Sequence, residues 1–165
     1  VVMPVVLFIQ QLVKWIGEKS AWLNLVLIFL ICLDVLQRYL FNQTFNWLIE
    51  LEWHFFGLLF LLGSAYTLQQ DKHVRVDVFY SGFSESKKAA VDLVCTVLLL
   101  IPWCIVGIMT CYKYASNSFY IREGSPNPGG LPAIYIIKYC IVLCFFLILL
   151  QAISMIVNQT KTLLK

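Results

Sequence analysis

The stretch Lys138-Tyr139-Cys140-Ile141-Val142-Leu143-Cys144-Phe145-Phe146-Leu147-Ile148-Leu149-Leu150-Gln151-Ala152-Ile153-Ser154-Met155-Ile156-Val157 carries no formal charge after its first residue, and the next charge is Lys161. A helix rises about 1.5 Å per residue, so this run is long enough to cross a hydrocarbon core about 30 Å thick. Inside lipid the segment must satisfy its own backbone hydrogen bonds, which makes it a helix. Three more runs read the same way. No charge falls between Asp92 and Lys113, and only His54 interrupts the charge-free run from Trp53 to Gln70. The stretch from Ser20 meets Asp34 before ending at Phe41. The period-two alternation of a membrane barrel is absent. The expectation is an all-α integral membrane fold, a single membrane domain over 1–165 with spans near 20–41, 48–70, 90–114 and 132–157.

Composition points to the same solvent. The chain is 61% apolar and 13% charged, against roughly 45–50% and about 25% in soluble domains. A net charge of +3, scattered along the chain, gives no footprint for nucleic acid. The six cysteines (Cys32, Cys95, Cys104, Cys111, Cys140 and Cys144) all lie in apolar runs and read as reduced packing residues.

Residues 1–19 are apolar but short. They lack the basic start and small-residue cleavage site of a signal peptide. Leu12, Trp15 and Ile16 fall on one helical face, with Gln10, Lys14 and Glu18 on others. Lys14 and Trp15 suit the headgroup level, so the reading is an N-terminal amphipathic helix at the lipid interface.

Lys and Arg set the orientation. Lys14, Lys19, Lys72, Arg75, Lys87, Lys88, Lys161 and Lys165 fall on one side, and only Arg38, Lys113, Arg122 and Lys138 on the other. Both termini are therefore expected in the cytoplasm, with the 42–47 and 115–131 loops outside. In the 71–89 loop, Val74, Val76 and Val78 alternate with polar residues, which suggests an extended or interfacial piece. Ser84 is placed to cap the helix that follows. The outer stretch Arg122-Glu123-Gly124-Ser125-Pro126-Asn127-Pro128-Gly129-Gly130-Leu131-Pro132 has the prolines and glycines of a defined turn. Pro132 is expected in the first turn of the last span.

Charges inside a span cost roughly 2.5–3.5 kcal/mol each at the centre. Asp34 and Arg38 are four apart and share a face. Trp47, Glu50 and His54 share a face of the second span, while Glu52 points elsewhere. Glu50 and Glu52 lie near Arg38 in depth, so a cross-helix pair from Arg38 to either carboxylate is expected. Asp92 opens the third span, and Pro102 kinks it. No span shows the Gly/Pro break of an ion or substrate site. Only His54 lies in a span, too few histidines for a di-haem site, and no Cys/His spacing suits zinc. No cofactor and no catalytic constellation is read, and an enzyme is not expected. Two other classes stay open: a self-contained proton-coupled transporter with Asp34 as its central carboxylate, and a membrane anchor of a redox complex.

The ordered features resemble a family. Arg38-Tyr39-Leu40-Phe41 ends the first span, Trp47 and Glu50 start the second, and His73-Val74-Arg75-Val76-Asp77 follows it. The stretch Glu123 to Pro132, with Lys138 beyond, completes the set. The order is similar to the small four-helix (Q-type) membrane subunit of tripartite ATP-independent periplasmic (TRAP) transporters. That resemblance implies an accessory subunit of a sodium-coupled secondary transporter importing an organic acid across the bacterial inner membrane. Its implied partners are a large membrane subunit of about twelve spans, a periplasmic binding protein and membrane lipids. By the same resemblance Arg38, Glu50 and Glu52 orient helices or lipid headgroups, with Asp34 in the same helix-end ion-pairing set, while Asn42, Gln43, Trp47, Arg122, Glu123, Pro126 and Pro128 face the binding protein.

Overall fold

The computed structural model describes residues 2–70, 80 and 82–164. The helices run in the order α1 (Val2–Ser20), α2 (Leu23–Phe41), α3 (Asn46–Gln69), α4 (Glu85–Cys95), a π-helical turn (Thr96–Leu100), α5 (Ile101–Tyr120) and α6 (Tyr135–Leu163). Four stretches are long and apolar enough to cross a membrane: Met3–Phe41, Asn46–Gln69, Glu85–Tyr120 and Tyr135–Leu163. The extended piece expected at 71–79 lies outside the described residues.

Helix α6, the segment that opened the sequence reading, is the hub: α1, α3, α4 and α5 all pack on it. Helix α2 lies to one side and packs mainly on α3. The third span runs through α4, the π turn and α5 without a break. Pro102 lies at the start of α5. Its ring cannot accommodate the carbonyl four residues back and it offers no N–H, so the wider turn before it relieves both conflicts. Asp92 ties this span to its neighbours, accepting hydrogen bonds from the Tyr80 hydroxyl (2.8 Å) and Gln159 Nε2 (3.3 Å).

Helix α1 joins α2 through a tight turn at Ala21 and Trp22. Its packing adds an inward face that the sequence did not reveal. Val6, Ile9 and Val13 are buried, whereas Trp15 is 61% exposed. Ile9 and Val13 form a core with Ala65 of α3 and Leu147 of α6, flanked by Ile16, Leu62, Tyr66 and Ile148. Gln10, expected on a polar face, is half-buried between helices: its Nε2 donates to Ser154 Oγ at 3.0 Å, and its carbonyl accepts from Gln69 Nε2 at 2.9 Å. Glycine at position 17 lets α1 approach closely, because a Cβ there would collide with the Tyr66 side chain. Lys14 is exposed and pairs with Glu18 at 3.7 Å.

Two helix starts also differ from expectation. Ser84 holds the N-cap position of α4, but its hydroxyl makes no capping bond. Helix α6 begins at Tyr135, so Pro132 stays in the loop. The preceding residues are still engaged in loop bonds, Ser125 N–H to the Leu131 carbonyl and Ile134 N–H to the Glu123 carbonyl.

Candidate functional site

The C-terminal ends of α2 and α5 and the N-terminal ends of α3 and α6 gather most of the charged residues singled out in the sequence. Glu50 is the organising group. Its carboxylate accepts from the Ser125 hydroxyl, from Asn127 Nδ2 at 2.9 Å and from the Leu131 backbone N–H at 2.7 Å. One turn earlier in the same helix, Asn46 Nδ2 donates to the Pro128 carbonyl at 2.9 Å. The 121–134 loop is thereby strapped over the start of α3, leaving a cleft of about 310 Å³ lined by Glu50, Trp53, His54, Ser125 and Asn127. Gly130 closes the strap. A side chain there would run into Ser125 and the Glu50 carboxylate.

The loop is also fixed at its roots. Arg122 adopts a left-handed φ of 47°, and the Glu123 N–H returns to the Ser118 carbonyl at 3.0 Å, the pattern that ends a helix sharply. Glu123 then accepts from Lys138 Nζ at 2.5 Å and Ser118 Oγ at 2.6 Å. Lys138 is buried and also sits 4.0 Å from the centre of the Tyr114 ring. The Lys138 hydrogen bond, and next that from Ser118, hold the Glu123 carboxyl below the usual carboxylate range. The prolines 126 and 128 and the Arg122 side chain remain exposed on the loop surface. A Gly-Pro-rich turn secured by one carboxylate is a preformed surface rather than a floppy connection.

On the loop between α2 and α3, Asn42 takes a left-handed φ of 50° to end α2, and the Gln43 N–H returns to the Gln37 carbonyl at 3.4 Å. Asn42, Gln43 and Trp47 are all exposed. Trp47 lies beside Phe45, their ring centres 6.3 Å apart.

The ion pairs around Arg38 correct one expectation. Arg38 Nη2 binds Asp34 Oδ2 on its own helix at 2.6 Å. Among the described residues no hydrogen bond or salt bridge joins it to Glu50 or Glu52. Glu50 is drawn away by the loop donors, which lie on its face of α3, while Glu52 points toward α2 and feels the charges of Asp34 and Arg38. Sequence reasoning did not foresee that Ser125, Asn127, Leu131 and Asn46 fasten the loop, nor that Lys138 partners Glu123. The signal available was the opposite charge of Glu123 and Lys138 at the two ends of the turn. The donors to Glu50 come from a segment far along the chain, which no local pattern reveals. His54 Nδ1 meets the Glu50 carbonyl at 2.6 Å and so stays engaged with its own helix.

Among the described residues, no group of three or more His, Cys, Asp or Glu side chains could hold a metal ion. What this end can do chemically is hold helices and a loop in place and present polar surface.

Comparison with curated proteins finds no match to this chain. The model of one family does match, described as tripartite ATP-independent periplasmic transporters, DctQ component, over residues 27–162. That match runs from within α2 to the last turn of α6 and contains the whole strapped loop, so the chain belongs to the DctQ component family of TRAP transporters.

Proposed function

We propose that this membrane component of a TRAP transporter is an accessory subunit that braces the large transport subunit and helps receive the periplasmic binding protein. The observation that carries this reading is the use made of its intramembrane and helix-end charges. Asp34 engages Arg38, Glu123 engages Lys138, and Glu50 engages the 121–134 loop. The last two hold the 121–134 loop to α3 and α6, and the first is an internal pair of α2. Meanwhile α2, α3 and α5 turn large apolar side chains outward, among them Phe29, Phe60 and Trp103. Such faces suit lipid and a neighbouring membrane protein.

In this reading the transporter is sodium-coupled and imports an organic acid through the large subunit, in a bacterial inner membrane. Both termini lie in the cytoplasm, as the Lys and Arg distribution favours. The strapped loop and the Asn42–Trp47 loop then face the binding protein. Helix α1 lies low in the membrane, with Trp15 and Lys14 at the interface and Met3, Val5, Leu7 and Phe8 exposed to lipid.

Reconstitution tests the reading. The large subunit and binding protein together should transport substrate only when this chain is present, and the chain should co-purify with the large subunit. Substrate flux in liposomes holding this chain alone would overturn it in favour of a self-contained carrier.

A further inference from the structure

Glu52 is the carboxylate that the fold leaves unanswered. Glu50, two residues earlier, has three donors, and Asp34 has Arg38. Among the described residues no hydrogen bond or salt bridge reaches Glu52, and its Oε1 is buried without a partner. The second oxygen of Asp34, a side chain more than nine-tenths buried, is also without a partner at the same α2–α3 contact. The cluster therefore holds two carboxylates against one guanidinium, an excess of negative charge at a membrane-facing surface.

The excess lies in a formed depression. Leu27, Ile31, Glu52, Trp53 and Phe56 line a groove of about 390 Å³ between α2 and α3. Its rim is apolar and open, with Trp53 76% and Phe56 62% exposed. The surroundings are wrong for an isolated carboxylate, because in hydrocarbon a charge needs a partner or a proton. They are right for a helix that brings apolar side chains to the rim and a cation to its centre. Anionic lipid headgroups would be repelled by the same charge.

We propose that this groove is the seat of a helix of the large membrane subunit, one carrying a lysine or arginine at the depth of Glu52. The proposal rests on the accessory-subunit reading above and specifies where that contact is made and which charge it uses. Glu52 is then a recognition residue for assembly. Arg38 keeps Asp34 occupied, so the incoming cation meets Glu52 rather than the buried aspartate.

The test uses the full chain, tagged and co-expressed with its large subunit. A photo-crosslinking phenylalanine analogue at position 56 should couple to one helix of the large subunit. Glu52→Gln should lower the amount of large subunit recovered at least tenfold, while the melting temperature of the isolated chain stays unchanged or rises. A Glu52→Lys chain should lose binding and regain it when the cation on the crosslinked helix is exchanged for glutamate. Equal recovery with Glu52→Gln overturns the proposal, as does crosslinking only to lipid or to a second copy. A Glu52→Gln chain that melts markedly lower in isolation assigns the carboxylate an internal role and overturns it too. If the unaltered chain does not recover the large subunit at all, the accessory reading falls first and this contact falls with it.

Discussion

Glu50 and Glu52 stand on the same helix, two residues and less than one turn apart, and their surroundings are opposite. Positions two apart on an α-helix point about 200° away from each other. One side of α3 therefore faces the 121–134 loop, where a serine, an asparagine and a backbone N–H converge on a carboxylate. The other side faces α2, where Trp53 and Phe56 stand in the open and no donor arrives. The chain answers a charge that serves its own shape and leaves unanswered one that serves something outside it. A carboxylate that no donor of its own chain reaches, beside a second buried carboxylate oxygen on Asp34 without a partner, is what the proposed contact with the large subunit would answer.

The contrast can be broken at three points. The largest effect is expected for Glu50→Ala, which strands the Leu131 N–H, Ser125 and Asn127 together. Hydrogen exchange at the Leu131 amide should accelerate by roughly a hundredfold, while amides in the middle of α6 stay protected. Unchanged exchange at Leu131 would mean that the loop holds its shape without the strap.

A smaller, pH-dependent effect is expected at the root of the loop. Lys138 and Ser118 hold the Glu123 carboxyl below the usual range, so folding favours its charged form. Its contribution is complete above the ordinary carboxylate range and is lost as pH falls through the lowered value. A nitroxide label at position 126 should report a fixed loop from neutral pH down to about pH 4 and increasing mobility below it. Lys138→Met should move that onset upward.

The smallest effect is expected for Glu52→Gln in the isolated chain, a change in unfolding free energy below about 0.5 kcal/mol. The contrast between the two glutamates would lose its meaning if Glu52→Gln were as damaging to the isolated chain as Glu50→Ala.

The parts of this arrangement that follow local rules were legible in the chain. Uninterrupted apolar runs mark the four crossings, and a spacing of four brings Asp34 and Arg38 together on α2. The parts that depend on distant segments were not. The partner expected for Arg38 on α3 is absent from the described contacts, because Glu50 is claimed by donors some eighty residues downstream, a relation no helical period encodes. The inward face of α1 was not legible for a related reason. The helix packs against α3 and α6, so Val6, Ile9 and Val13 turn inward and Gln10 finds Ser154, contacts set by segments far along the chain. Pro132 misled as well, since its fitness for a first helical turn competes with loop bonds that delay α6 until Tyr135.

The wide turn at Thr96–Leu100 has a consequence for how the third span keeps its bearings. Its buried positions include Ala89, Thr96, Cys104 and Ala115. Ala89 and Thr96 are separated by about two α turns, and Cys104 and Ala115 by about three, so each pair lies on one meridian of the helix. Between Thr96 and Cys104 the chain carries nearly one residue too many for two turns, which in a regular helix would swing every later side chain by about 80°. The π turn swallows that surplus residue. It works as a leap day in a calendar, an occasional extra count that keeps Cys104 and Ala115 aligned with Ala89 over a helix too long to stay in phase unaided.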